Sequence, residues 1–250
     1  MAASPESPPR GIDFERCFNF RDLGGYAGKD GRHVRWRRVF RSMTPQYMSA
    51  VDVARARDLG ISQVFDIRGA KETSGPLGEP PGRRIAYRPR RGRIWTPEAM
   101  KRYRELSPEV ALPQVLDRLG RDFAKGITAL AEDDGALLFH CRLGKDRSGV
   151  FAALLLKLLG VSDEDVIADY VLSGNAAATA QPLVTQDGGD DPTQSEARVV
   201  REPAQPHLME LTLARLRDEY GGAYAYLRRH GVPKYKLEAV IERLLEPAAT

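Results

Sequence analysis

The most informative stretch of this sequence is a short loop that contains a single cysteine. Residues 139–149 read Phe-His-Cys-Arg-Leu-Gly-Lys-Asp-Arg-Ser-Gly. An apolar run ends at His140 and a helix is expected from Ser148, so the intervening backbone N–H groups should converge ahead of a helix N-terminus. Cys141 would stand at one rim of this loop and Arg147 at the other. The spacing predicts an anion site with a nucleophile beside it.

The residue types in the loop fit displacement at a phosphate group. An arginine fork matches two phosphate oxygens, and a helix N-terminus with nearby cations favours the reactive thiolate of Cys141. Ser148 would hydrogen-bond that thiolate, and His140 would orient the loop. The remaining candidate substrate-binding residues of the loop are Arg142, Leu143, Gly144 and Lys145. A buried structural thiol is the alternative, but it explains none of the residues around the cysteine.

The elements that must position this loop can be predicted from hydrophobic spacing. Strands are expected at residues 61–66, 85–87 and 136–140. Helices are expected at 49–59, from Thr96, at 112–132 and 148–159, after Ser162, and at 206–220 and 234–245. Strands separated by helices indicate an α/β fold with a central, mostly parallel sheet flanked by helices.

The chain is expected to form one domain. Residues 1–12 are predicted to be a flexible tail, and residues 13–247 a single domain. Residues 173–203 are rich in Ala, Gln, Thr, Asp, Gly and Pro. This segment is predicted to be either a mobile lid or a plain surface insertion.

Composition excludes several classes of protein. None of the apolar runs in the 250 residues approaches the ~20 residues of a membrane span. No secretory signal peptide is visible, and two cysteines cannot form a disulfide framework, so a cytoplasmic, reducing compartment is the default expectation. The 34 acidic residues among the 38 basic ones argue against nucleic-acid binding. The four histidines are scattered, so no metal site is predicted. The sequence shows no glycine-rich loop of the dinucleotide-binding or nucleotide-binding type, so no cofactor is predicted.

The loop resembles the signature of cysteine-dependent tyrosine phosphatases, in particular the bacterial branch with dual protein and phosphoinositide activity. The segments 19–25, 39–42, 65–68 and 168–170 also resemble motifs of that branch. The resemblance covers about residues 14–246 and is weakest at about 70–110 and 173–203. It implies a cysteine-phosphatase-like fold.

The resemblance also implies roles for individual residues. Cys141 would be the nucleophile, forming a phosphocysteine that water hydrolyses, and Arg147 the phosphate clamp. Lys145 would be an added phosphate or head-group contact. Asp66 and Arg68 are further candidate substrate-binding residues, with Asp66 expected to pair with Arg68 or to support the loop.

The general acid is left open by the sequence. Phosphatases of this kind use an aspartate on a separate loop, but residues 86–93, where it is expected, contain none. Three candidates follow: Asp146 within the loop, Glu98 and Asp66. Asp146 is favoured because it is adjacent in sequence to the phosphate-binding residues.

Residues 83–104 carry eight arginines and one lysine against the single acid Glu98. If this segment borders the site, it should attract a strongly anionic substrate, such as a phosphoinositide head group or an acidic phosphopeptide, with peripheral membrane contact. The alternative is a solvated basic face.

Cys17 precedes the 19–25 motif. It would either trap oxidised Cys141 as a reversible disulfide or serve as a small buried side chain.

The sequence therefore predicts a phosphatase acting on phosphotyrosine, with phosphoserine, phosphothreonine and phosphoinositides as further substrates. Two alternatives are a sulfur transferase and a catalytically weak module that binds phosphoinositides or phosphopeptides. The resemblance adds one expectation about location, since some relatives are exported without a classical signal.

Overall fold

The structure is a computed structural model, and it describes residues 10–68, 105–174, 179 and 203–248, together with the backbone of 83–86. Its strands are β1 Arg21–Asp22, β2 Arg32–Val34, β3 Val39–Ser42, β4 Ile61–Asp66, β5 Arg83–Ala86, β6 Ala136–His140 and β7 Leu245–Pro247. Its helices are α1 Ala50–Asp58, α2 Pro108–Ala111, α3 Gln114–Glu132, α4 Asp146–Leu158, α5 Asp163–Val171, α6 Pro206–Tyr220, α7 Ala223–Arg229 and α8 Lys234–Leu244.

A five-stranded sheet forms the centre of the fold, in the order β1-β3-β6-β4-β5. The strands β3, β6, β4 and β5 are parallel, and only the short edge strand β1 runs antiparallel to its neighbour. The predicted α/β fold with a mostly parallel sheet is therefore confirmed. A separate antiparallel pair joins β2 to β7, near the two ends of the described chain.

The sheet has a core on each face because successive strand residues point to opposite sides. Leu137 and Phe139 of β6 belong to the larger core, which includes α3, α4 and the C-terminal helices. Ala136 and Leu138 belong to the smaller core, which α1 and the N-terminal segment cover. Full burial on both faces explains why β6 is apolar without alternation.

Helix α4 is the central support of the larger core. Its Phe151 ring lies 5.1 Å from Phe65, 5.5 Å from Phe123 and 4.8 Å from Phe139, measured between ring centroids. The sequence predicted this helix as buried, but placed its start at Ser148. It begins at Asp146, so two residues of the cysteine loop belong to its first turn.

Most other elements agree with the sequence, with small differences. The strand predicted at 85–87 lies at Arg83–Ala86, and the helix predicted at 112–132 is α3, Gln114–Glu132. The short helix α2, Pro108–Ala111, precedes it and was not predicted. Helix α7 was missed, since seven residues between two glycine turns give too little periodicity. The capped starts at Ser49 and Ser162 are confirmed, with each side chain accepting an N–H three residues on.

Several predicted features lie outside the described residues. They are most of the tail 1–12, the helix from Thr96, Glu98, most of the basic segment 83–104 and most of the segment 173–203. Residues 10–12 are described, and Gly11 pairs with Arg21 of β1.

The aromatic contacts of Phe151 predict a large contribution to stability. Phe151→Ala should lower the free energy of unfolding by about 3–5 kcal/mol, because it opens a cavity that three rings cannot fill. Urea denaturation measures this change. Tyr235→Ala is the control, since that side chain is 66% exposed and its loss should change stability by about 0.5 kcal/mol or less. Equal effects of the two substitutions would contradict this account of the core.

Candidate active site

The cysteine loop lies at the carboxyl edge of the sheet, where parallel α/β proteins commonly bind ligands. The last residues of three parallel strands, Ser42, His140 and Asp66, are in register there. Cys141 follows His140 directly and is 3% exposed. The loop then leads into α4, whose first N–H groups have no partner within the helix.

The loop carbonyls are held on its outer side by the rest of the protein. The Thr44 amide donates to the Arg142 carbonyl at 3.0 Å. The Asn19 side-chain amide donates to the carbonyls of Leu143 at 3.1 Å and Gly144 at 3.0 Å. Because C=O and N–H of a trans peptide point in opposite directions, the N–H groups that follow face the inside of the loop. This is the orientation that the predicted anion site requires.

Gly144 is required at the sharpest point of this loop. Its φ of +70° lies in the left-handed region, and a β carbon there would approach the Ser42 carbonyl oxygen to 2.3 Å. Both constraints exclude any other residue without distortion.

A buried ion-pair network lies behind the loop. Arg41 is 0% exposed, and it donates to the carbonyls of Gly144 at 2.8 Å and Lys145 at 3.3 Å. Asp169 accepts from Arg41 and, at 2.8 Å, from Nε of Arg21. The two guanidiniums outweigh the effect of burial and lower the pKa of Asp169 to about 2. One carboxylate thus neutralises two buried cations that support the loop.

None of these supporting residues could be assigned to the site from the sequence. Asn19, Arg21 and Arg41 precede the loop by 100 or more residues, and Asp169 lies on a separate helix. Their only signal was charged and amide side chains in segments that resembled family motifs. An arginine that directly follows two apolar strand residues, as Arg41 does, indicates a buried partner.

The structure brings Asp146 together with Lys145 and Tyr170. The Tyr170 hydroxyl donates to Oδ1 of Asp146 at 3.3 Å, and Nζ of the buried Lys145 lies 3.7 Å from the same oxygen. Burial raises the pKa of Asp146, and Lys145, Tyr170 and Arg147 offset part of that rise. A carboxyl with this environment keeps its proton to a higher pH than an ordinary aspartate.

Asp66 and Arg68 form a buried pair at the end of β4, as the sequence predicted for Asp66. Nε and Nη2 of Arg68 lie 3.0 and 2.9 Å from the two oxygens of Asp66, and Nη1 donates to Gln46. Although burial opposes ionisation, His140 and Arg68 hold the pKa of Asp66 well below its usual range. His140 Nε2 lies 3.8 Å from Asp66, and its Nδ1 lies 3.0 Å from the Cys141 carbonyl oxygen.

Other predicted site residues lie on the same loop. Arg142 and Arg147 are partly exposed, and Leu143 packs into the smaller core. The Ser148 hydroxyl is buried, and it has no hydrogen-bond partner among the described residues.

Cys17 lies in the smaller core, whereas Cys141 lies in the larger one. Burial raises the pKa of the Cys17 thiol to about 12, which disfavours its thiolate, and the thiol lies 4.0 Å from the Met43 carbonyl oxygen. Both cysteines are free thiols in this structure. The role of Cys17 as a redox partner of Cys141 stays a prediction.

Two further features concern metal ions and membranes. Within the described ranges, no three His, Cys, Asp or Glu side chains gather as a metal site would require. None of the described helices is both long and apolar enough to cross a membrane.

Comparison with known proteins agrees with this geometry. A sequence profile described as the tyrosine phosphatase family matches residues 12–246. This chain belongs to the tyrosine phosphatase family. A Cupriavidus necator protein named as a tyrosine-protein phosphatase is 36% identical over 176 residues, covering 67% of this chain and 64% of its own length. The tyrosine-protein phosphatase of Nostoc commune is 35% identical over 130 residues, covering 46% and 40% respectively. The chain thus aligns with less than two thirds of either relative.

Two more distant similarities cover more of the chain. The triple specificity protein phosphatase PtpB of Mycobacterium tuberculosis is 25% identical over 245 residues, covering 84% of this chain and 83% of PtpB. The crystal structure of Pseudomonas aeruginosa TpbA with phosphotyrosine aligns at a TM-score of 0.31 and 19% identity, covering 74% of this chain and 89% of TpbA.

The buried network predicts a large effect of one charge on stability. Asp169→Asn leaves two buried guanidiniums without their counter-charge, so the free energy of unfolding should fall by about 3–5 kcal/mol in urea denaturation. The control on the same helix is Asp163→Asn. Its carboxylate is 51% exposed and pairs with Lys157, so its loss should cost about 1 kcal/mol or less. Similar losses in the two variants would contradict the role of the network.

The lowered pKa of Asp169 also predicts a pH dependence. The unfolded chain binds this proton near pH 4 and the folded protein only near pH 2, so the stabilisation is complete above about pH 4 and is lost as pH falls toward 2. Urea midpoints measured from pH 6 to 2 should therefore fall more steeply for the wild type than for Asp169→Asn. Parallel curves would show that Asp169 is not the group that titrates.

Proposed function

We propose that this protein is a cysteine-dependent phosphatase that hydrolyses phosphomonoesters, with phosphotyrosine in proteins as the main substrate class. The observation that carries the proposal is the set of loop carbonyls held outward by Thr44, Asn19 and Arg41. It turns the N–H groups inward beside Cys141, where three phosphate oxygens would need donors.

In the first step, the Cys141 thiolate attacks phosphorus, an S–P bond forms and the bond to the leaving oxygen breaks. The loop N–H groups and Arg147 stabilise the charge on the three equatorial oxygens. The leaving oxygen takes a proton from an acid. In the second step, the resulting carboxylate takes a proton from water, the water oxygen bonds to phosphorus, and the thiolate leaves with inorganic phosphate released. Ser148 would stabilise the departing thiolate.

Among the described candidates, Asp146 is the better acid. Asp66 is ionised by Arg68 and His140, and its oxygens accept the hydrogen bonds of the Arg68 guanidinium, so it has no proton to give. Asp146 lies in the loop itself, and burial favours its protonated form. Asp66 and Arg68 would then act by fixing the end of β4 beside the loop rather than by binding phosphate directly.

We also propose phosphoinositides and phosphoserine or phosphothreonine proteins as further substrates. Support comes from Lys145, a cation in the loop in addition to Arg142 and Arg147, and from the name of PtpB as a triple specificity phosphatase. The phosphocysteine intermediate is part of the same proposal.

The experiment compares inorganic phosphate release from a phosphotyrosine peptide and from a short-chain phosphoinositide, in reducing buffer with EDTA. Wild-type protein should turn over the peptide, and Cys141→Ser should lower kcat by at least roughly 10³-fold because the nucleophile is lost. Cys141→Ser should still bind the peptide, because Arg147 and the loop N–H groups remain. Equal and negligible turnover by both proteins, with binding retained, would instead identify a phosphate-binding module.

A further inference from the structure

We propose that Tyr170 is a positioning residue for Asp146: its hydroxyl fixes the carboxyl in the orientation that delivers the proton to the leaving oxygen. This inference rests on the proposed function and adds a residue to it. Tyr170 lies on α5, outside the cysteine loop, and it is 1% exposed. Its hydroxyl donates to Oδ1 of Asp146 at 3.3 Å.

The packing of α4 against α5 makes room for this contact. A β carbon on Gly149 would lie 2.7 Å from Cδ2 of Tyr170, so any larger residue would push the ring away from the loop. Glycine inside a helix lowers helix stability by about 1 kcal/mol relative to alanine, which indicates that this position must stay small to admit the Tyr170 ring. The preceding residue, Asp169, holds α5 to Arg21 and Arg41 and thereby fixes where Tyr170 can stand.

The two contacts to Asp146 are made to the same oxygen. Tyr170 Oη and Lys145 Nζ both approach Oδ1, at 3.3 and 3.7 Å. Oδ2 is therefore the oxygen on which the transferable proton resides. When that proton moves to the leaving oxygen, Asp146 becomes a carboxylate. The hydrogen bond from Tyr170 then becomes charge-assisted and stronger, which favours the transfer.

The charged and titratable groups that act on Asp146 come from three elements and the loop. Lys145 lies in the loop, Arg147 beside it on α4, Tyr170 on α5 and Arg41 on β3. All four stabilise the carboxylate form. Removing the Tyr170 hydroxyl alone should therefore raise the pKa of Asp146 as well as loosen its orientation.

The test is Tyr170→Phe, which keeps the ring and removes only the hydroxyl. It uses two small substrates: phenyl phosphate, whose leaving oxygen needs a proton, and dinitrophenyl phosphate, whose leaving oxygen does not. With phenyl phosphate kcat/KM should fall about tenfold, the effect of one hydrogen bond to a charged group. With dinitrophenyl phosphate kcat/KM should change less than about twofold, since general acid catalysis is not needed there and kcat/KM does not include the later hydrolysis of the phosphocysteine. The basic limb of the pH profile of kcat/KM for phenyl phosphate should move to higher pH.

Tyr226→Phe is the matched control. Tyr226 is also a buried tyrosine with one hydroxyl hydrogen bond, at 2.7 Å to the Leu116 carbonyl, but it lies on α7 and does not contact the loop. It should lose stability like Tyr170→Phe, with the same ratio of the two kcat/KM values and the same pH profile as the wild type. If Tyr170→Phe also keeps that ratio and profile, Tyr170 is only structural and the inference is wrong.

Asp146→Asn separates this inference from the proposed function. It should lower kcat/KM for phenyl phosphate by about 10²-fold or more and leave kcat/KM for dinitrophenyl phosphate nearly unchanged, because that quantity ends at the cleavage of the bond to the leaving oxygen. If Asp146→Asn slows both substrates equally while Cys141→Ser still abolishes turnover, the protein is a cysteine phosphatase whose acid lies elsewhere. The proposed role of Tyr170 would then be overturned and the proposed function retained.

Discussion

The arrangement of the site depends on one buried ion-pair network, in which Asp169 neutralises Arg21 and Arg41. Burying a cation is costly unless it is paired and hydrogen-bonded, and here each guanidinium also donates to other groups. Arg41 donates hydrogen bonds to two loop carbonyls, and this keeps the N–H groups on the opposite side of those peptides available for an anion. Through Arg41, the network thus determines the direction in which the loop N–H groups point.

The sheet and helix α5 bring this network to the loop. The strands β3, β6 and β4 are parallel and in register, so they end at the same edge of the sheet. Arg41 on β3 therefore lies beside the loop that follows β6. Helix α5 contributes two neighbouring residues that act on the loop: Asp169 pairs with Arg41, which donates to the loop carbonyls, and Tyr170 donates to Asp146. One helix therefore contributes both to the support of the loop carbonyls and to the position of Asp146.

The parts of this site that sequence reasoning could predict are those contiguous in the chain. The cysteine loop is local: a strand end, a glycine and a helix start follow one another, and their spacing alone implies an anion cradle. The pairing of Asp66 with Arg68 was equally accessible, because the two residues are two positions apart. The support from Asn19 and Asp169 could not be predicted, because tertiary contacts between residues more than 100 positions apart leave no periodic signal. Strand β1 has two residues and α7 has seven, too few for a pattern to emerge.

The outward carbonyls of the loop also have a consequence for how the protein acquires its reactivity. They are held by Asn19, Arg41 and Thr44, all more than 90 residues earlier in the chain than the loop. Contacts of such long sequence separation form late, because closing a long loop is entropically unfavourable. A newly made or partly unfolded chain therefore lacks the contacts that arrange the loop around Cys141. Under the proposed function, the phosphate site beside Cys141 would form only when these distant parts of the chain have come together.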